Sequence, residues 1–269
     1  MKSRLFVPVF LAAGVAAVAA TAQTTAPPRS APIFRGYLAV GAAPDTLLIL
    51  PPPPKPGSAR EIGDRAVFTA TRALAGKPRW TLATEDANLF KGADLFSCAL
   101  GVKLNAASAP ALTGIFHRVG LDTLAVIDPP KNHYARPRPY TAADATTAPV
   151  CVAKSDALTR NGSYPSGHAS VSWTWGLILA ELAPDRATQI LARARAIGDS
   201  RVVCGVHYLS DIEAGRTTGA SLVATLHGDA AFRADMDRAR AELAGLRVGA
   251  HEAPADCATQ NQAADRPPY

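Results

Sequence analysis

Beyond its first two dozen residues the chain has no apolar run of the roughly 20 residues that a membrane-crossing helix takes. The nearest approach, Ser172 to Leu182, is short and carries Glu181. The mature chain is therefore expected to be soluble, with no membrane span. No alternating apolar and polar pattern of useful length is present either, which argues against sheet architectures and gives the expectation of an all-α fold. Runs of lysine and arginine are also missing. The formal net charge is +6, a mild excess that does not fit a nucleic-acid binder and that a local site for a small anion explains as well.

What is there begins with a leader. Lys2 and Arg4 precede an apolar, alanine-rich stretch from Leu5 to Ala20, and Ala20-Thr21-Ala22 supplies a small-residue cleavage signal. Residues 1–22 read as a secretory signal peptide, so a periplasmic location is expected. Its removal takes away two positive charges and no negative ones, leaving about +4. In an oxidising compartment Cys98, Cys151, Cys204 and Cys257 read as two disulfides. Four cysteines admit three connectivities. Cys98–Cys151 with Cys204–Cys257 is the expected one, because each bridge would tie a loop or the tail near the candidate site to a helix.

Residues 23–57 form an arm whose prolines, Pro51 to Pro54 and Pro56, require extended backbone. A helical domain follows over 58–248, a single-domain bundle, with a loose tail at 249–269. Ser58 caps a helix reaching about Leu74, with Glu61 three residues on. Further helices are expected at Trp80–Asn88, Phe90–Leu104 and Ala109–Ile127, the last closed by Asp128-Pro129-Pro130. His168–Leu182, Asp185–Gly198, His207–His227 and Asp229–Leu246 complete the set. Residues 128–167 lack clear periodicity and carry six prolines. A loop of that length in a compact domain is usually functional.

The chemistry gathers between 131 and 211. Lys131, Arg138 and Arg201 can supply the permanent positive charge that a phosphate group needs, arginine by meeting two oxygens at once. Pro165-Ser166-Gly167-His168 fixes a turn at a helix start, where the backbone N–H groups of Ser166 and Gly167 favour an anion. His207 and Asp211 stand four apart on an expected helix, so the carboxylate can orient the imidazole and leave its other nitrogen free to attack phosphorus. A metal site built from His168, His207 and Asp211 is the competing reading, and three nearby cations oppose it. No metal ion, cofactor or nucleic-acid partner is expected.

In order, K-x6-R-P, P-S-G-H and S-R-x5-H-x3-D resemble the signature shared by type 2 phosphatidic acid phosphatases, glucose-6-phosphatase, bacterial non-specific acid phosphatases and vanadium haloperoxidases. Gly162-Ser163-Tyr164-Pro165-Ser166-Gly167-His168 is similar to the class A non-specific acid phosphatases in particular. So are Tyr37-Leu38, Pro51 to Pro54 and Gly114-Ile115-Phe116, and the resemblance runs from about 36 to 228. It implies His207 as nucleophile, Asp211 as its orienting partner and His168 as the proton donor to the leaving oxygen. Lys131, Arg138, Ser166, Gly167 and Arg201 would bind phosphate. It implies small phosphomonoester substrates, inhibition by phosphate or vanadate and some phosphotransfer to alcohols, and it leaves a homo-oligomer open. Ala169 stands where that class usually has threonine and Leu209 where it usually has proline, departures that bear on substrate preference. A vanadate-dependent haloperoxidase would use the same cation cage. A non-catalytic phosphate-binding protein would leave His168 and the His207–Asp211 pair without a purpose.

Overall fold

Hydroxyls set the character of the central helix. The computed structural model describes residues 35–249, 254–255 and 257–269, so the expected leader at 1–22 and the start of the arm lie outside the described residues. Helix α7 (Gly167–Leu182) is buried on nearly every side, and it still carries Ser170, Ser172 and Thr174. These turn back onto carbonyls: Thr174 Oγ1 donates to Ser170 O at 2.8 Å and Ser170 Oγ to Ser166 O at 3.0 Å. Polar groups satisfied in this way can be buried without the cost of an orphaned donor.

The other elements in chain order are α1 (Thr46–Ile49), α2 (Ala59–Thr71), α3 (Pro78–Glu85), α4 (Ser97–Leu100), α5 (Pro110–Tyr134) and α6 (Asp156–Arg160). After α7 come α8 (Ala187–Val203), α9 (Leu209–Leu226), α10 (Ala230–Val248) and α11 (Ala258–Asp265). Among the described residues there is no strand, and the all-α expectation holds. α7 packs chiefly against α8 and α9, with α5 also against it and α10 laid along α5. Leu112, Ile115 and Phe116 of α5 meet Trp175, Ile178 and Leu179 of α7, with Ile190 and Ile197 from α8 and Leu222 from α9. The Phe116 and Trp175 rings stack with centroids 4.7 Å apart. Each such side chain, fully buried, contributes about 1.5–3 kcal/mol.

Close approach of α9 to α7 depends on two glycines. A Cβ on Gly215 would lie 2.6 Å from Ser166 O, and one on Gly219 would lie 2.7 Å from Ser170 O. These contacts lock the start of α9 against the start of α7, which is where the chemistry-bearing residues lie.

Several expectations are corrected. α5 does not stop at Asp128-Pro129-Pro130 and runs on to Tyr134. The carbonyl of Val126, which the missing N–H of Pro130 would leave bare, instead accepts from Thr46 Oγ1 at 2.7 Å. The segment expected as a helix over Phe90–Leu104 is a 3-10 stretch, Leu89–Phe96, kinked at Gly92, followed by the short α4. α8 continues past Gly198 to Val203 and carries Arg201 in its last turn. The arm is not wholly extended, because Asp45 caps the four-residue α1. The described part of the arm is pinned where Tyr37 N–H and Leu38 N–H donate to the buried Asp122 at 2.7 and 3.1 Å.

The disulfides are two, as expected, but Cys98 pairs with Cys257 and Cys151 with Cys204. The expected Cys98–Cys151 and Cys204–Cys257 pairing is wrong, because the loop carrying Cys151 folds onto the end of α8, where Cys151 N–H donates to Cys204 O at 3.1 Å. From Cys257 on, the tail is held against the domain. Cys257 leads into α11, which packs on α8, and the Tyr269 hydroxyl donates to Asp199 at 2.8 Å. No helix among the described residues is long and apolar enough to cross a membrane.

Candidate active site

Four helix ends meet at one place. Lys131 lies in the last turn of α5 and Arg201 in the last turn of α8, while Ser166 caps α7 and Asp211 lies in the first turn of α9. Cations sit at the two carboxyl ends and the α7 amino end points its N–H groups inward, the arrangement favoured by helix dipoles. Arg138 enters on the segment after α5. There Ala135, with φ +43°, turns the chain left-handed and closes the helix onto Lys131 O.

His207 and Asp211 are brought together, though not as one helical face. α9 begins at Leu209, so His207 precedes it and Tyr208 is the cap. The Asp211 carboxylate accepts Tyr208 N–H at 2.9 Å through Oδ2, and the same oxygen faces His207 Nδ1 at 3.3 Å. On the other side of the ring, His207 Nε2 lies 3.2 Å from Arg138 Nη1. Guanidinium can only donate, so Nε2 carries the lone pair and Nδ1 carries the hydrogen toward Asp211.

Lys131, Arg138 and Arg201 are all buried, and among the described residues none of them joins an ion pair. Lys131 donates to Gly162 O. Arg138 is oriented by three carbonyls, Leu158 O at 2.7 Å, Asn161 O at 3.1 Å and Val206 O at 2.9 Å. Arg201 has Nε and Nη1 buried with no hydrogen-bond partner, and burial beside Arg138 pulls its guanidinium down to about 10. Burial brings Lys131 down to about 8, with Arg138 adding to the fall. Burial and the same cations hold both His168 and His207 well below the ordinary imidazole range. Burial raises the Asp211 carboxyl, against the pull of Arg136.

His168 is reached from the other side. Its Nε2 lies 3.0 Å from Ala87 O, just after α3. A carbonyl only accepts, so Nε2 carries a hydrogen and the second proton of a charged ring would be on Nδ1. Ser166 differs from expectation in one respect. Its N–H is committed to Asp211 O at 2.9 Å, so its hydroxyl is what remains for an anion. Ala169 N–H and Ser170 N–H bond back to Ser166. The first-turn N–H groups of Gly167 and His168 have no acceptor within the helix. A Cβ on Gly167 would lie 3.1 Å from Ile127 Cδ1.

Sequence reasoning missed three contributors. Arg136 Nη1 donates to Asp211 Oδ1 at 2.5 Å and its Nη2 to Asp64 Oδ2 at 2.8 Å. The repeated Arg-Pro of Arg136-Pro137-Arg138-Pro139 was the available signal. Asp64 falls on the buried stripe of α2 with Phe68 and Thr71, an acidic residue on an inward face. Ser163 stands beside His207 and Asp211 and favours the charged form of each, while its N–H donates to Arg136 O at 2.8 Å and its hydroxyl to Pro137 O at 3.2 Å, and nothing in its own residue type marked it.

Residues 103–233 match the family model described as the PAP2 superfamily. The chain is also 43% identical over 210 residues to an acid phosphatase of Zymomonas mobilis, a match covering 77% of this chain and 78% of that protein. The chain belongs to the PAP2 superfamily. Two further relatives are non-specific acid phosphatases. That of Providencia stuartii is 37% identical over 78% of this chain and 86% of its own, and that of Salmonella typhimurium is 33% identical over 72% and 78%. A solved PAP2-type phosphatidylglycerolphosphate phosphatase from Bacillus subtilis, a transmembrane protein, aligns with a TM-score of 0.43 at 19% identity, over 64% of this chain and 87% of that one. The PAP2 match spans every residue from Lys131 to Asp211 and leaves out Asp64 and Ala87, which α2 and the end of α3 bring to the site.

Proposed function

We propose that this PAP2 chain is a non-specific acid phosphatase that hydrolyses phosphomonoesters through a phosphohistidine. One observation carries the reading. Three buried cations surround a neutral imidazole, and the one carboxylate beside that imidazole among the described residues is already engaged by His207 Nδ1, Tyr208 and Arg136. Uncompensated buried charge calls for an anion, and a phosphoryl group matches both the charge and the donor geometry of Arg138 and Arg201.

Lys131, Arg138 and Arg201 would hold the phosphoryl oxygens, with the Ser166 hydroxyl and the Gly167 N–H. His207 Nε2 attacks phosphorus as the ester P–O bond breaks, and the leaving oxygen takes a proton from His168 Nδ1. The proton on His207 Nδ1 stays against Asp211. Water then attacks the N–P bond, giving its proton to His168 and releasing phosphate. An alcohol in place of water gives phosphotransfer. Cations that hold the transferring oxygens stabilise the charge of the transition state. Three buried cations around the imidazole repel a divalent metal ion, so we propose turnover without one. Export to the periplasm is supported by the leader pattern and by the two disulfides.

The test is turnover of p-nitrophenyl phosphate by the purified protein at acid pH in EDTA. Activity that survives chelation and is blocked by vanadate, which copies five-coordinate phosphorus, is the expected result. Strong bromide oxidation by peroxide and vanadate with negligible ester hydrolysis would overturn it.

A further inference from the structure

Behind Asp211 lies a charge arrangement that its neighbours do not repeat. Asp64, Arg136 and Asp211 are all buried, at 3%, 9% and 0% exposure. One guanidinium serves two carboxylates. Arg136 Nη1 bonds Asp211 Oδ1 at 2.5 Å and Ser210 Oγ at 2.8 Å, and Nη2 bonds Asp64 Oδ2 at 2.8 Å. Ser210 closes the figure, giving its N–H to Asp64 Oδ1 at 2.9 Å and its hydroxyl to Asp64 Oδ2 at 2.5 Å. The Tyr208 ring covers the guanidinium at 4.3 Å. Elsewhere Asp86 meets Arg193 one to one, and Asp199 meets two arginines. Only beside His207, among these buried clusters, do carboxylates outnumber the arginine that joins them.

The excess has a consequence for His207. With Arg136 alone, the charge of Asp211 would be cancelled. With Asp64 added, the trio keeps a net negative charge on the Nδ1 side of the imidazole, where low dielectric strengthens its effect. The ring begins neutral and gains positive charge as Nε2 bonds to phosphorus. Arg138, Lys131 and Arg201 on the other side oppose that gain, together with His168 when it is protonated. We infer that Asp64 is a positioning residue for phosphoryl transfer, acting through Arg136 to keep negative charge behind His207. The inference rests on the reading of His207 as nucleophile.

The experiment compares wild type with Asp64→Asn, Arg136→Lys and Asp122→Asn. Asp122 is a buried carboxylate of the same kind that anchors the arm far from His207 in sequence and contacts. Rapid-quench labelling gives the rate of acid-labile phosphoenzyme formation, inhibition by inorganic phosphate reports the cage, and the pH profile of kcat/KM reports His207. Asp64→Asn should slow labelling about 10- to 100-fold, the size of loss found when an outer partner that orients a metal-bound histidine is removed. Phosphate inhibition should be nearly unchanged. The acid limb should move to lower pH, because loss of negative charge disfavours the imidazolium. Asp122→Asn should lower Tm without either kinetic change. A wild-type labelling rate in Asp64→Asn, or a loss that follows Tm with the acid limb unmoved, overturns the inference. Should Asp64→Asn not fold, Arg136→Lys carries the test, since an ammonium cannot span both carboxylates. At least a tenfold slower labelling with phosphate inhibition kept supports the inference, and a wild-type rate overturns it. A wild type that forms no acid-labile phosphoenzyme refutes the phosphohistidine reading itself and this inference with it.

Discussion

His168 Nε2 lies 3.0 Å from the carbonyl oxygen of Ala87. That contact fixes which nitrogen can serve a substrate. Nε2 is held as a donor to the carbonyl, so Nδ1 alone can pass a proton to a leaving oxygen. In the free site burial and the cations Arg201 and Arg138 hold the ring well below the ordinary imidazole range, and in the proposed mechanism a bound phosphate dianion would offset those cations and favour the proton.

His168→Ala should therefore depend on the leaving group. Nitrophenolate leaves without a proton and an alkoxide does not, and general acid catalysis is worth about 100- to 10,000-fold. The expected outcome is a far larger loss of kcat on glycerol phosphate than on p-nitrophenyl phosphate, measured where phosphoenzyme formation limits the rate. Equal losses would assign His168 to phosphate binding.

Lys131 should set an upper pH limit. Burial brings its amine down to about 8, so the free enzyme loses this cation as pH rises through that value. A plot of kcat/KM, which reports the free enzyme, should fall there. Lys131→Met should lower kcat/KM in acid and erase that limb. The sign for stability is opposite. The folded chain holds this proton less tightly than the unfolded chain, whose value is near 10.5, so this residue favours the fold increasingly between about 8 and 10.5.

The two disulfides should separate stability from activity. Cys204 is three residues before His207, and its bridge to Cys151 braces the turn that delivers the imidazole. The Cys98–Cys257 bridge closes the longer loop, with a separation of 159 against 53, and ties down the tail. By loop length each is worth about 3–5 kcal/mol. Replacing Cys151 and Cys204 by serine should lower both Tm and kcat. Replacing Cys98 and Cys257 should lower Tm with kcat kept at temperatures where the protein stays folded. Steady-state kinetics with thermal unfolding on both pairs decides it.

Gly215→Ala should damage the site from behind. The new methyl would stand 2.6 Å from Ser166 O and 2.9 Å from Ala169 Cβ, and both belong to rigid helix backbone or its first atom. Overpacking of this kind costs about 1–3 kcal/mol. Because Ser166 N–H is bonded to Asp211 O, the shift should reach the carboxylate that faces His207 Nδ1. Lower Tm together with lower kcat is expected. Gly245→Ala, where a Cβ meets nothing within 4 Å, should do neither.

The amino-acid sequence by itself determined the helical class, the capped start of α2, the number of disulfides and the residues that gather as a cation cage. Each of these is local: a period, a cap, a count, or a motif whose members carry charge or a nucleophilic nitrogen. What only the tertiary structure decided depends on partners distant in the chain. Thr46 lets α5 run through two prolines by taking the Val126 carbonyl, so Lys131 is presented from a helix end and not from a loop. Helix α9 starts two residues late because Asp211 caps Tyr208, so the His207–Asp211 pair is made at a helix entrance and not along a face. The cysteine pairing followed where the 149–151 loop came to rest on α8. Asp64 became part of the site only when α2 met α9, 146 residues away along the chain. A buried carboxylate shows in the sequence as one acidic residue among many, and its meaning comes from the cation that the fold sets against it.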